Sequence, residues 1–205
     1  GGGWRGIRVV TTDGELADAY ERTRDEAERA FGSGVVFLER LVTGARHVEV
    51  QVISDGETAW ALGERDCSVQ RRNQKVIEES SSVALKPADV QRLKESAERL
   101  AVRVGYRGAA TVEFLYHPGD GTLAFLEVNT PPQAEPPVPE EFTGTDLVRD
   151  PFGTAIGEPL GYSAPPPVGH SFEFRINGED AGRNFLPAPG VVSVFEPPSG
   201  PGVRL

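Results

Sequence analysis

Apolar and polar residues alternate along two arms of one stretch, Gly108 to Tyr116 and Leu123 to Thr130. Pro118, Gly119, Asp120 and Gly121 lie between the arms and have turn composition, so the pattern predicts a β-hairpin. A turn centred on Asp120 pairs position 113 with position 127, which puts Glu113 and Glu127 on one face with Cβ atoms about 5 Å apart. Asn129, two residues on, returns to the same face. Opposed like charges destabilise a sheet, so a compensating group is expected. Two carboxylates and an amide offer the oxygen donors that hard cations such as Mg²⁺ or Mn²⁺ prefer. Spacing alone leaves two readings open. One is a metal site; the other is a solvent-facing hairpin, or a register shifted by one residue that separates the charges.

Other patterns frame this hairpin. Leu16, Ala19, Tyr20, Ala27 and Phe31 fall at helical spacing between Asp13 and Phe31, with Gly32 as the stop. Thr23 and Glu26 form a capping-box pattern that predicts a restart into a second helix, both helices packing on a sheet. Val35 to Leu41 reads as an apolar strand. His47 to Ile53 and Thr58 to Gly63, joined around Asp55 and Gly56, predict another hairpin. The run from Glu64 to Glu79 mixes cations and acids, and reads either as a solvated loop or as an active-site segment that brings cations to anionic ligands. Pro87 to Val104 is a helix with Pro at N1, an apolar face and Gly105 as the stop. Pro131 to Pro139 is proline-rich and favours polyproline II. Residues 157–168 read as a linker, and His170 to Asn177 alternates as a strand.

Composition narrows the class. A chain of 205 residues can bury a sizeable core as one large or two small domains. Its 31 Asp and Glu against 21 Lys and Arg argue against a general nucleic-acid binder. The single Cys67 excludes an internal disulfide and suits a cytoplasmic location. No apolar run approaches the roughly 20 residues of a membrane span. The absence of methionine and the glycines at the start give the expectation of a piece of a longer protein. Gly1, Gly2, Gly3 and Gly6, with Arg5, form a turn of the kind that approaches phosphate, or else a flexible linker.

Four segments taken in order, Glu64 to Lys75, Gly105 to Leu115, Leu126 to Thr130 and Glu173 to Asn177, resemble the biotin carboxylase family, the ATP-grasp part of acetyl- and propionyl-CoA carboxylase α subunits. The resemblance implies an α+β fold of the ATP-grasp type, an antiparallel sheet with flanking helices. It divides the chain into a lid remnant (1–42), an ATP-grasp core with the metal and bicarbonate site (43–160), and the start of a C-terminal domain (161–205). It implies a ligase that uses ATP and bicarbonate to make carboxyphosphate and then carboxylates biotin on a carrier.

Carried over by residue, Glu113, Glu127 and Asn129 match metal positions for two Mg²⁺ or Mn²⁺ ions. Gly1, Gly2, Gly3 and Gly6 match the lid loop over the phosphates, with Trp4 where a glycine is expected. Glu39, Arg40, Leu41 and Val42 match the segment holding adenine. His47, Gln70 and Asn73 match residues lining the nucleotide site, although His47 taken alone reads better as ordinary packing. Lys75 and Gln133 match bicarbonate ligands, Glu135 the base that deprotonates bicarbonate, and Arg175 the group stabilising the biotin enolate. Implied partners are a biotin carboxyl carrier domain, a carboxyltransferase subunit and a second copy in a homodimer, with neither nucleic acid nor membrane.

Two departures stand out. Pro131 replaces an arginine expected to hold bicarbonate, with Pro136 and Pro139 close by, so impaired bicarbonate chemistry is expected. Pro151 is expected to interrupt a helix after Thr145. The alternatives are another ATP-grasp ligase, such as a carbamoyl-phosphate synthase domain, and a non-catalytic descendant whose proline segment is a polyproline ligand.

Overall fold

The computed structural model describes residues 7–72, 74–130 and 137–205. Residues 1–173 form one unit and residues 174–205 a second. The first is built on an antiparallel sheet. Its strands are β1 (Arg46–Asp55), β2 (Ala59–Arg71), β3 (Gln74–Ser80), β4 (Arg107–His117), β5 (Thr122–Asn129) and β6 (Phe172–Phe174), in the order β5-β4-β1-β2-β3-β6. The α+β expectation with flanking helices is met.

Alternation on β1 explains the layering. Val48, Val50 and Val52 point to one face, where they pack with Val112, Phe114 and Tyr116 against Leu93, Ala97 and Ala101 of helix α2 (Pro87–Arg103). Pro87 opens α2, as expected from its missing N–H. The intervening Glu49 and Gln51 point the other way and are nonetheless buried. Beyond them Ile53 packs with Leu62 and Leu147, the last lying between α3 (Pro137–Thr143) and α4 (Arg149–Ala155).

Gly63 sits beside a β-bulge, where the β1–β2 register shifts after Gln51. Its φ is +144°, and a Cβ there would lie 2.7 Å from Cε2 of the buried Phe142 ring and closer still to Cζ. A Gly63→Ala protein is therefore expected to lose about 2 kcal/mol, read as a lower midpoint in urea denaturation.

Several sequence expectations are corrected. One helix, α1 (Asp13–Phe31), runs straight through the supposed restart, because Thr23 Oγ bonds back to Ala19 O at 2.7 Å and accepts from Arg8 instead of capping. No residue of α1 is buried, so it is not packed on the sheet as expected. Val35 to Leu41 is not a strand: it has no ladder partner among the described residues, and Val35, Phe37, Leu38 and Leu41 are exposed. The solvated-loop reading of 64–79 fails, since most of this run is paired in β2 and β3, with Arg65 fully buried. Pro151 does not interrupt a helix; it falls in the first turn of α4, where its missing N–H would have had no partner. Residues 157–168 lack regular structure but are stitched down. Leu160 N–H donates to Asp55 Oδ2 at 2.9 Å, Trp60 Nε1–H to Tyr162 O at 3.0 Å, and Val168 N–H to Phe142 O at 2.7 Å.

The second unit contains a two-stranded antiparallel pair, β7 (Glu179–Asp180) and β8 (Leu186–Pro187), joined through a 3-10 turn at Ala181–Arg183 whose Gly182 N–H is capped by Asp180. Among the described residues no helix is long and apolar enough to cross a membrane.

Candidate active site

The hairpin β4–β5 has the predicted pairing of Glu113 with Glu127, and Thr111 lies opposite Asn129, but the turn is not centred on Asp120. Phe114 faces Phe125 and His117 faces Thr122, and a bulge between Glu113 and Phe114 brings the two acids opposite each other. Asn129 Nδ2 donates to Glu113 Oε1 at 2.7 Å and lies 3.4 Å from Glu127 Oε1, so one amide bridges both carboxylates and compensates their repulsion. Glu113 is buried and Glu127 exposed, so the pair runs from interior to surface.

Glu113 is also held from the neighbouring strand β1. His47 Nε2 is 2.7 Å from Glu113 Oε2, while His47 Nδ1 is 2.7 Å from Gln70 Nε2 on β2. Gln70 Nε2 also donates to Cys67 O at 2.8 Å. With an amide donor on Nδ1, the imidazole carries its proton on Nε2 and donates it to Glu113. His47 is thus part of the cluster rather than incidental packing, and the same contact ties Gln70 to it.

Lys75, on β3, reaches across to Glu49 Oε1 and lies 3.4 Å from Glu113 Oε1. Burial alone would depress its pKa, but Glu49, Cys67 and Glu113 outweigh it and hold the ammonium above its ordinary value. Burial likewise pushes the Glu113 carboxyl up, yet hydrogen bonding from His47 and the charge of Lys75 keep it below the usual carboxylate range. Glu113 is therefore an anion within reach of a half-buried cation.

Glu49 is the member of this charge cluster that the sequence did not reveal. Its carboxylate is fully buried, accepts from Arg65 Nη2 at 3.1 Å, and lies with His47 and Glu113 in a cluster whose ligand atoms are within 4.8 Å of one another. The available signal was the alternation His47, Glu49, Gln51 against Val48, Val50, Val52, a pattern that ordinarily marks a solvated face. The donor set of Glu113, Glu127 and Asn129 fits a hard divalent cation: two carboxylates converge, and the bridging amide can turn its oxygen inward.

Behind the cluster, Asp66 anchors the β2–β3 end of the sheet. It accepts from Arg46 Nε at 2.6 Å, Ser82 Oγ at 2.7 Å and Ser68 N–H at 3.0 Å. Burial pushes its carboxyl up, but these donors outweigh burial and hold it below the ordinary range. A depressed folded-state pKa stabilises above the unfolded value of about 3.9, and that stability is lost as pH falls through the folded value. Asp66→Asn is expected to be less stable than the parent by about 1–3 kcal/mol at neutral pH, the gap closing below about pH 4. Chemical denaturation at pH 7 and pH 3 checks this.

The other expected site residues fall elsewhere. Glu39, Arg40 and Leu41 are exposed and Val42 half-buried in a segment without regular structure. Arg175 belongs to the second unit. Gly1, Gly2, Gly3, Gly6, Asn73, Gln133 and Glu135 lie outside the described residues, as do Trp4, Pro131 and Pro136.

An antiparallel sheet with flanking helices and an acid-amide hairpin opposite a half-buried lysine is an ATP-grasp architecture. The biotin carboxylase–β,γ-ATP complex from Campylobacter jejuni superimposes with a TM-score of 0.91 at 42% identity, over 98% of this chain and 45% of that one. The biotin carboxylase domain of Hydrogenobacter thermophilus 2-oxoglutarate carboxylase, in complex with MgADP, ADP and bicarbonate, does so at 0.88 and 40% identity, over 98% and 45%. The chain belongs to the family described as Carbamoyl-phosphate synthase L chain, ATP binding domain, which matches residues 1–163. Within it, the whole chain is 52% identical to part of the biotin-dependent acyl-coenzyme A carboxylase alpha3 subunit of Mycobacterium leprae and 46% identical to part of the biotin carboxylase of Pseudomonas aeruginosa. It spans 34% and 46% of the length of these relatives.

Proposed function

We propose that this chain is the central part of a biotin carboxylase serving an acyl-CoA carboxylase. It would catalyse ATP-dependent carboxylation of carrier-bound biotin with bicarbonate. The observation that carries the reading is Glu113, held at once by His47, Lys75 and Asn129 and paired across the hairpin with Glu127. Such a carboxylate can share a divalent cation while its lysine neighbour attracts an anion.

Glu113, Glu127 and Asn129 would hold Mg²⁺ or Mn²⁺, which supplies charge neutralisation for phosphoryl transfer. Lys75 offers its ammonium to bicarbonate, the anion named with a relative of this chain. Gln133 joins it as a neutral donor, and Glu135 takes the bicarbonate proton as bicarbonate oxygen attacks the γ-phosphorus and ADP leaves. Arg175 stabilises the negative charge that develops on biotin before it accepts CO₂. Gly1, Gly2, Gly3 and Gly6 cover the phosphates, Glu39, Arg40, Leu41 and Val42 receive adenine, and His47, Gln70 and Asn73 line the nucleotide. Residues 1–42, 43–160 and 161–205 serve as lid remnant, core and start of the next domain. A biotin carrier domain, a carboxyltransferase subunit and a second copy are the partners this reading requires, and the cytoplasm the compartment.

In the full-length protein with Mg²⁺ and ATP, ADP release should require bicarbonate and rise with biotin. Hydrolysis indifferent to both would remove the reading. Hydrolysis that responds to bicarbonate but not to biotin would favour a ligase of the carbamoyl-phosphate synthase kind, the reading suggested by the family description.

A further inference from the structure

Among the described residues, one buried cation remains outside the reaction just described. Arg65 lies directly opposite Glu49 in the β1–β2 ladder and has no exposed surface. Its guanidinium is gripped from three strands. Nη2 donates to Glu49 Oε2 at 3.1 Å and to Thr111 Oγ1 at 3.3 Å, Nη1 donates to Gln51 Oε1 at 3.2 Å, and Nε lies 3.8 Å from Glu78 Oε2. A group so enclosed cannot touch a substrate. Its route to the chemistry runs through Glu49, whose other oxygen is engaged by Lys75.

The two oxygens of Glu49 are thus divided between two cations, and that division has an electrostatic consequence. In a buried layer an ammonium facing carboxylates spends its field on them, because little water screens the attraction. Arg65 takes up one oxygen of Glu49 and lies against Glu78, so the Glu49 carboxylate cannot turn both oxygens toward Lys75. With Arg65 absent, Lys75 would face Glu49 and Glu113 without that counter-charge. Guanidinium suits the task because its planar fork fixes direction as well as charge, whereas an ammonium is a point donor.

We propose that Arg65 is a positioning residue for anion binding: by clamping one oxygen of Glu49 it keeps the Lys75 ammonium directed toward, and electrostatically available to, the bicarbonate. This rests on the functional reading above, which assigns bicarbonate to Lys75. It predicts an effect on one substrate, whereas a purely structural role would weaken the whole site together.

The test uses the full-length protein with Arg65→Met, Arg65→Lys and the double variant Arg65→Met with Glu49→Gln. Arg65→Met should raise the KM for bicarbonate at least tenfold while the KM for ATP stays within twofold. Arg65→Lys should recover part of that loss by restoring charge without the fork. The double variant should bind bicarbonate better than Arg65→Met alone, because the unopposed carboxylate is gone. A crystal structure of Arg65→Met should have both oxygens of Glu49 turned onto Lys75. An unchanged bicarbonate KM in a folded variant, or parallel rises in both KM values, overturns the proposal, as does an unmoved Glu49 carboxylate. Should Arg65→Met fail to fold, Arg65→Lys carries the kinetic and crystallographic arms. A parent protein whose hydrolysis ignores bicarbonate overturns the functional reading instead, and the position of Glu49 in the variant crystal then decides the role of Arg65.

Discussion

Glu113→Gln is expected to lower Mg²⁺-dependent ATP turnover in the full-length protein by roughly 10²–10³-fold, the scale seen when one preorganised electrostatic contact is removed from a closed site. The carboxylate is 4% exposed and accepts from His47, Lys75 and Asn129. Glutamine keeps its volume but removes its charge, and its amide NH₂ cannot accept. Whichever way it is turned, a donor of the amide meets a donor of the cluster. Lys75 loses one of its anionic neighbours in the interior, which costs folding stability of about 1–3 kcal/mol. Steady-state ADP release measured against Mg²⁺ concentration should therefore show a lower plateau and a higher half-saturating Mg²⁺, with an unchanged far-UV spectrum. Turnover within threefold of the parent would remove Glu113 from the metal site.

Pro131→Arg is expected to work in the opposite direction, raising bicarbonate-dependent turnover tens- to thousands-fold. The family resemblance puts an arginine at this position, two residues before the expected bicarbonate ligand Gln133 in the sequence. Proline has neither charge nor backbone donor to replace it. A charge-assisted contact in a partly buried site is worth about 2–5 kcal/mol, and each 1.4 kcal/mol is a factor of ten. The gain should appear in the bicarbonate-dependent part of ADP release and leave the bicarbonate-independent background as it was. Equal rates in the two proteins would mean that Lys75 alone suffices for the anion.

Where one residue type decided the geometry, the sequence could be read directly. Alternation predicted the Glu113–Glu127 pair, although not the register beside the turn: His117 faces Thr122 and Phe114 faces Phe125, and a bulge between Glu113 and Phe114 shifts the ladder by one residue to bring Glu113 opposite Glu127. Pro87 and Gly105 bracket α2 for equally local reasons. The misreadings have a common cause. Arg65 and Asp66 look solvated when counted along the chain, but their counter-charges Glu49 and Arg46 come from another strand, and Glu78 lies against Arg65, so the run they sit in is interior. Val35 to Leu41 has the reverse problem: its residues favour a strand, but a strand needs a ladder partner, and no local rule supplies one. Thr23 and Glu26 match a capping box, but the Thr23 hydroxyl bonds to the preceding turn and the helix continues. Glu49 escaped notice because polar alternation beside valines usually faces water, whereas here α3 and α4 cover part of that side.

That internal ionic face also constrains how such a chain can diverge. Glu49, Arg65, Glu78, Lys75 and Glu113 compensate one another across three strands and the hairpin, so a lone replacement strands an opposite sign in the dark of the protein. Drift at these positions must proceed by matched exchanges or not at all, while the valines on the reverse side can trade methyl groups one at a time.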